Sequence, residues 1–291
     1  MKPILRKIDT GHNNYSFSVR EDVFPYLYNH WHYHPEVELT LIRKGSGIRL
    51  VGDSIEQFES GDLALLGSNL PHLWRSDAIY FEQVPGLNVE AVAIHFKDDF
   101  WGRDFIELPE IKPVRELLEK AKNGLRITGV SLKKITGQME AMLKATGAIR
   151  VALLLEMLHE IASSKEYVQL SSAGFAKSYD VANTDKVSLI YTYTFNNFQN
   201  KISIIEAAAK ANISPHSFCR YFKSRTLKTY GQFVLEVRIG YACKLLIENK
   251  MSIATIAYAC GFNNLSNFNR QFKTFVKKTP IQYLREYTKS A

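Results

Sequence analysis

Residues 250–284, "KMSIATIAYACGFNNLSNFNRQFKTFVKKTPIQYL", decide the reading of this chain, because their pattern already stands in residues 201–234, "KISIIEAAAKANISPHSFCRYFKSRTLKTYGQFV". Lys201 to Asn212 match Lys250 to Gly261 at an offset of 49. After one extra residue in the turn, Phe218, Arg220, Phe222, Lys223 and Thr229 match Phe268, Arg270, Phe272, Lys273 and Thr279 at an offset of 50. Such self-similarity means two copies of one supersecondary unit.

Each copy reads as a helix-turn-helix. In the first, a helix over 204–211 brings Ala208 to a tight crossing, and Asn212, a residue type that tolerates a left-handed backbone, stands at the turn. Ser214 then caps a second helix with Pro215 at its first position. Ala257 and Gly261 hold the equivalent posts in the second copy, with Phe262 beneath. Phe218 with Phe222, and Phe268 with Phe272, lie one turn apart and face the core of each unit. Their neighbours therefore point outward: His216, Ser217, Cys219 and Arg220 in one copy, and Ser266, Asn267, Asn269 and Arg270 in the other.

That outward set has a chemistry. Arg grips guanine through two hydrogen bonds and Asn does the same for adenine, and a recognition helix offers such groups to the major groove from its first turns. A helical hairpin with a merely solvated face is the plain alternative, and charge weighs against it. Residues 183–291 hold 16 Lys or Arg and only 5 Asp or Glu, a surplus of +11 that leaves −3 for residues 1–182 of a chain whose total is +8. A polyanion partner for the last third follows.

The repeat and its joining helix resemble the AraC family of bacterial transcription regulators. The run "IATIAYACGFNNLSNFNRQFKTFVKKTPIQYLREY" and the joining stretch "YGQFVLEVRIGYACKLL", with Arg238, Ala242 and Leu245 at family positions, carry the resemblance over about residues 186–288. It implies two helix-turn-helix units on one long helix, inserting recognition helices into successive major-groove faces of double-stranded DNA. By position, His216, Cys219 and Arg220, and Ser266, Asn267 and Arg270, become base readers. Lys223 and Lys273 become phosphate ligands, together with the helix amino ends. RNA polymerase is a further partner such a regulator implies.

The first third has a different grammar. Residues 15–100 are short alternating runs punctuated by Gly and Asp, the mark of many short strands in a sandwich or barrel. Within "HWHYHPEVELTLIRKG", residues 30–45, His32, His34 and Glu38 share one face of an extended segment. This spacing resembles the first half of the cupin pattern, and "GDLALLGSNLPH", residues 61–72, resembles the second half and supplies His72. Tyr26, Gly67 and Ser76 depart from that pattern. The resemblance leaves three readings open: a divalent metal on His32, His34, Glu38 and His72; a polar effector pocket, of sugar type, using the same residues with Trp74; or hydrogen-bonded structural histidines. Trp31 and Tyr33 stand close by as further stacking candidates.

From Pro113 the spacing turns helical, with Val114, Leu117, Leu118 and Ala121 on one face and Leu132, Ile135, Met139 and Met142 on the next. The run "AIRVALLLEMLHEIA" is apolar over most of its circumference and needs burial within the chain or against a second copy. This segment resembles the family's dimerisation region, which implies a homodimer. Cys219, Cys243 and Cys260 are odd in number and widely spaced, so neither a disulfide framework nor a zinc cluster is indicated. With no long apolar run and no leader-like amino terminus, the chain reads as cytoplasmic, with no membrane partner.

The expected architecture is multidomain α+β. It comprises a cupin-like effector-sensing β-barrel over 1–110, a helical dimerisation segment over 111–163, a linker over 164–184 and an all-α double helix-turn-helix over 185–291. The expected function is sequence-specific transcription regulation under a small-molecule effector, without catalysis. A metal-dependent cupin enzyme or metal sensor fused to a DNA-binding module, and a general architectural DNA binder, are its rivals.

Overall fold

The computed structural model describes residues 4–5, 15–27, 31–82, 84–172, 185–226 and 228–289, and divides into an N-terminal unit built on Pro3–Ser54 and Phe58–Ser178 and a C-terminal unit within Tyr179–Ala291.

The N-terminal unit is a two-sheet β structure with a helical layer. Its strands are β1 (Ile4–Leu5), β2 (Ser18–Phe24), β3 (His32–Tyr33), β4 (Val37–Lys44), β5 (Gly47–Val51), β6 (Ser54–Phe58), β7 (Leu63–Leu66), β8 (His72–Ser76), β9 (Val89–Phe96), β10 (Leu125–Ile127) and β11 (Tyr167–Gln169). One sheet runs β1-β3-β8-β5-β6 and the other β11-β10-β7-β4-β9-β2. Among the described residues, three longer helices follow the main run of strands: α1 (Lys112–Ala121), α2 (Ser131–Met142) and α3 (Ala148–Ser164).

Strand alternation explains how one sheet serves two purposes. In β4, Val37, Leu39 and Leu41 join a core with Val92, Ile94 and Phe96 of β9 and with the helices. The intervening residues Glu38, Thr40 and Ile42, with Ala91, Ala93 and His95, face the opposite side. β4 is buried on both faces, so its polar alternate positions meet an interior cavity instead of bulk water.

The expected apolar faces of α1 and α2 are buried, with Val114, Leu117, Leu118, Ala121, Ile135, Met139 and Met142 all in the core. The all-round apolar helix α3 buries Leu154, Met157, Leu158, Ile161 and Ala162 in the same core, so its burial is found within the chain.

Two boundaries differ from the sequence reading. Residues 125–127, expected within a helical segment, form β10 and pair with Leu65 and Ala64 of β7. Residues 167–169, expected within the linker, form β11, which aligns Tyr167 with Ile127 and Gln169 with Leu125. Three-residue strands have no period of their own and exist only through a partner some 40 residues away. The rest of the expected linker, 173–184, lies outside the described residues.

The C-terminal unit contains α4 (Asp185–Asn197), α5 (Ile204–Lys210), α6 (Pro215–Thr226), α7 (Tyr230–Glu248), α8 (Ile253–Ala259), α9 (Leu265–Val276) and α10 (Pro280–Lys289). The repeat extends to its caps. Ser203 and Ser252 accept from the N–H of Glu206 and Thr255, both at 3.2 Å. Each turn closes in the Schellman way: Ile213 N–H to Ala208 O with Asn212 N–H to Ala209 O, and Phe262 N–H to Ala257 O with Gly261 N–H to Tyr258 O. Asn212 has φ 51° and Gly261 φ 82°, the left-handed backbone both turns require. The next helix of each copy starts with a Thr–Gln capping box, Thr229 with Gln232 and Thr279 with Gln282.

Aromatic packing holds each copy. Phe218 and Phe222 are fully buried with Tyr230, and Phe222 also meets Tyr191 and Phe233. Phe268 and Phe272 pack against Phe262 and Tyr283. Arg238 of α7 ties the joining helix to the end of α4, donating to Phe198 O at 2.8 Å and Asn200 O at 2.9 Å.

Candidate functional site

Two candidate sites emerge, one in each unit. On α6, His216, Cys219, Arg220 and Lys223 are exposed and Ser217 is half-buried; on α9, Ser266, Asn269, Arg270 and Lys273 are exposed and Asn267 is half-buried. The buried phenylalanines orient these faces, since turning either helix outward would strip its aromatic core. Asn264 caps α9 by accepting from Asn267 N–H at 2.7 Å, and the Asn267 carboxamide oxygen accepts from Arg270 Nη2 at 3.1 Å. The Arg270 guanidinium is thereby tied to its own helix. Lys223 and Lys273 lie in the last turns of their helices.

The N-terminal site is a cavity of about 200 Å³ lined by residues that include Arg20, Asp22, Tyr26, Thr40, Trp74 and Ala93. Sheet register builds its wall in rows. Arg20, Ala93 and Thr40 align across β2, β9 and β4, as do Asp22, Ala91 and Ile42, and as do Ser18, His95 and Glu38. The two alanines leave the space that the flanking polar groups edge.

At one end, three histidines surround a single carboxylate and a fourth lies alongside. Glu38 Oε2 lies 2.9 Å from His34 Nε2, 3.2 Å from His72 Nε2 and 3.3 Å from His95 Nε2. Its other oxygen accepts from the Thr40 hydroxyl. His32 aligns with His72 across β3 and β8, their rings 4.3 Å apart, and His32 also lines the cavity. Burial alone would push the Glu38 carboxyl up, but the charges of His95 and His72 and hydrogen bonds from His34 and His72 hold it well below the usual carboxylate range. His95 is pushed down, by burial first, with Glu38 opposing.

All five residues expected at this site converge, His32, His34, Glu38 and His72 in the cluster and Trp74 on the cavity wall. Sequence reasoning missed His95, Arg20 and Asp22. A signal was present in "VEAVAIHF", where small Ala91 and Ala93 and polar His95 alternate with large Val92, Ile94 and Phe96. Small and polar residues opposite a large apolar face mark a strand that borders a cavity.

Twin capped helix-turn-helix units with exposed arginines define a DNA-binding transcription regulator. A helix-turn-helix domain family matches residues 207–286. The chain is 20% identical over 280 residues to an uncharacterized HTH-type transcriptional regulator of Bacillus subtilis, YdeC, covering 92% of this chain and 90% of that one. It is 24% identical over 260 residues to the HTH-type transcriptional activator RhaS of Mannheimia succiniciproducens, covering 87% and 86%. A regulator of Pseudoalteromonas carrageenovora is 36% identical over 96 residues, 33% of this chain and 57% of that relative. The chain thus carries a helix-turn-helix DNA-binding domain, and its relatives over most of its length are transcription regulators. Among the described residues, no helix is long and apolar enough to cross a membrane.

Proposed function

We propose that this chain is a sequence-specific transcription regulator whose N-terminal cavity takes a small polar effector, and that occupancy of the cavity sets how the two recognition helices engage DNA. One observation carries the reading: the cavity wall sets Arg20, Asp22, Thr40 and Glu38 beside two alanines, and Trp74 and Tyr26 line the same cavity. Polar groups that fix orientation beside an aromatic surface suit a small oxygenated molecule such as a sugar or hydroxy acid. Control runs by population shift, the effector favouring one arrangement of the chain over another. The helices within 112–164 are assigned to dimerisation, and the reading gives the cavity no catalytic role.

The test is a binding-site selection on random duplex DNA with the full chain, followed by reporter transcription from the selected site under varied carbon sources. A defined operator and a source-dependent response are expected, and Ala93→Phe, which fills the cavity, should abolish the response while leaving operator binding intact. Absence of sequence preference, or an unaltered response in Ala93→Phe, would overturn the proposal.

A further inference from the structure

The two copies of the repeat differ beside their outward arginines. At the offset of 50, Asn267 of α9 corresponds to Ser217 of α6, and Arg270 corresponds to Arg220. In α9 the Asn267 carboxamide oxygen accepts from Arg270 Nη2 at 3.1 Å, one turn further on. A guanidinium only donates, so the oxygen of Asn267, and not its amide nitrogen, is the atom that faces it. In α6 the Ser217 hydroxyl instead accepts from the Ser214 hydroxyl at 3.1 Å, at the start of its own helix. Among the described residues, no hydrogen bond joins Ser217 to Arg220.

Hydrogen-bond capacity sorts what each face can read. Asparagine grips adenine with both ends of its carboxamide, the oxygen accepting from N6 and the nitrogen donating to N7. Asn267 has its oxygen turned along the helix toward Arg270, which leaves the amide NH2, a donor, for a group outside the protein. Arg270 spends one N–H of its fork on this contact and keeps the others, enough for two parallel bonds. The pair together presents donors. Among the base edges of the major groove, guanine's is the one that sets two acceptors, O6 and N7, side by side.

We infer that Arg270 reads a guanine and that Asn267, expected from its position to read a base itself, is the positioning residue of that arginine. The second recognition helix is then the stricter reader of the two. A bond to the same helix removes rotamers that Arg270 would otherwise lose on binding, whereas Arg220 gives up its rotamers without such a partner. The inference rests on the sequence-specific DNA binding proposed above. It is open to a clean substitution, because Asn264 caps α9 through the backbone N–H of Asn267, which a change of the Asn267 side chain leaves in place.

The test is a binding-site selection on random duplex DNA with the full chain, repeated for Arg270→Ala, Asn267→Ala and Ser217→Asn. The parent should select a guanine whose preference Arg270→Ala removes. Asn267→Ala should relax that same guanine by about twofold or more and leave every adenine preference in the operator as it was. At that guanine, 7-deazaguanine, which lacks the N7 acceptor, should weaken the parent about fivefold or more and Arg270→Ala far less. Ser217→Asn should sharpen the base preference that depends on Arg220, a gain that a merely structural asparagine would not produce. Loss of an adenine preference in Asn267→Ala would overturn the inference, as would a selection identical to the parent's. An unchanged preference in Ser217→Asn would overturn the contrast between the copies. A parent without any sequence preference removes the proposed function and this inference together, whereas a parent preference that Arg270→Ala abolishes and Asn267→Ala leaves intact removes the inference alone.

Discussion

Gly261→Ala tests how the second helix-turn-helix is built. Gly261 sits at the turn between α8 and α9 with φ 82°, and a Cβ there would lie 2.6 Å from Phe198 O, 2.8 Å from Gln199 O and 3.0 Å from Arg238 Nε. Two costs add. A non-glycine residue in the left-handed region costs about 1–2 kcal/mol, and forcing packed atoms apart costs about 1–3 kcal/mol. Two of the three obstacles are backbone carbonyls, one of which, Phe198 O, also accepts from Arg238. The Ala variant should therefore lose about 2–5 kcal/mol. Gly261→Asn separates the terms, because Asn tolerates the left-handed region yet keeps a Cβ, so about 1–3 kcal/mol should remain. At the matching turn Asn212 is exposed, and Asn212→Gly should change stability by only a few tenths of a kcal/mol. Urea unfolding of the full chain, followed through the transition of the C-terminal unit, measures all three. A Gly261→Asn protein as stable as the parent would refute the crowding argument.

Other expectations concern DNA and thiols. Arg220→Ala and Arg270→Ala should each lose about 1–3 kcal/mol, about 5- to 150-fold in affinity, and relax preference at one base position, read by competition binding on operator variants. Asn267→Ala should reproduce part of the Arg270→Ala loss and show coupling to it in a double-mutant cycle, since the carboxamide holds the guanidinium. Lys223→Ala should weaken all sequences alike and reduce the salt slope by about 1; a changed base preference would contradict a phosphate role. Burial pushes the Cys243 and Cys260 thiols up to about 12, whereas Cys219 is exposed. Intact-mass analysis after brief alkylation of the folded protein at pH 8 should find the adduct on Cys219, with all three thiols labelled only after denaturation. The raised thiols also favour the folded state fully below the unfolded thiol range near 8.5. That stability should be lost as pH climbs from there toward 12, because the unfolded chain releases its protons first.

How much was legible in the sequence followed from how local each signal is. The helix-turn-helix copies could be read because their determinants lie within a turn or two: Ser214 ahead of Pro215, turn residues Asn212 and Gly261, and phenylalanines spaced to one helical face, whereas the caps Ser203, Ser252 and Asn264 emerged only in the structure. The histidine cluster was legible in part. His32, His34 and Glu38 are near in sequence and His72 matched a spaced pattern, while His95 depends on the β4–β9 register that sets it opposite Glu38.

The sequence by itself determined that the chain has two kinds of region, that its basic third carries paired recognition helices, and which side chains those helices turn outward. Only the tertiary structure decided the rest. It paired β10 with β11 across 40 residues, turned the polar positions of β4 toward a cavity by covering both of its faces, and brought Arg20, Asp22 and His95 to the same wall. The physical reason is the range of the forces involved. Caps, turns and helical faces act between neighbours along the chain, whereas a cavity exists only between elements, and each of its atoms is placed by hydrogen-bond registers that no single segment contains.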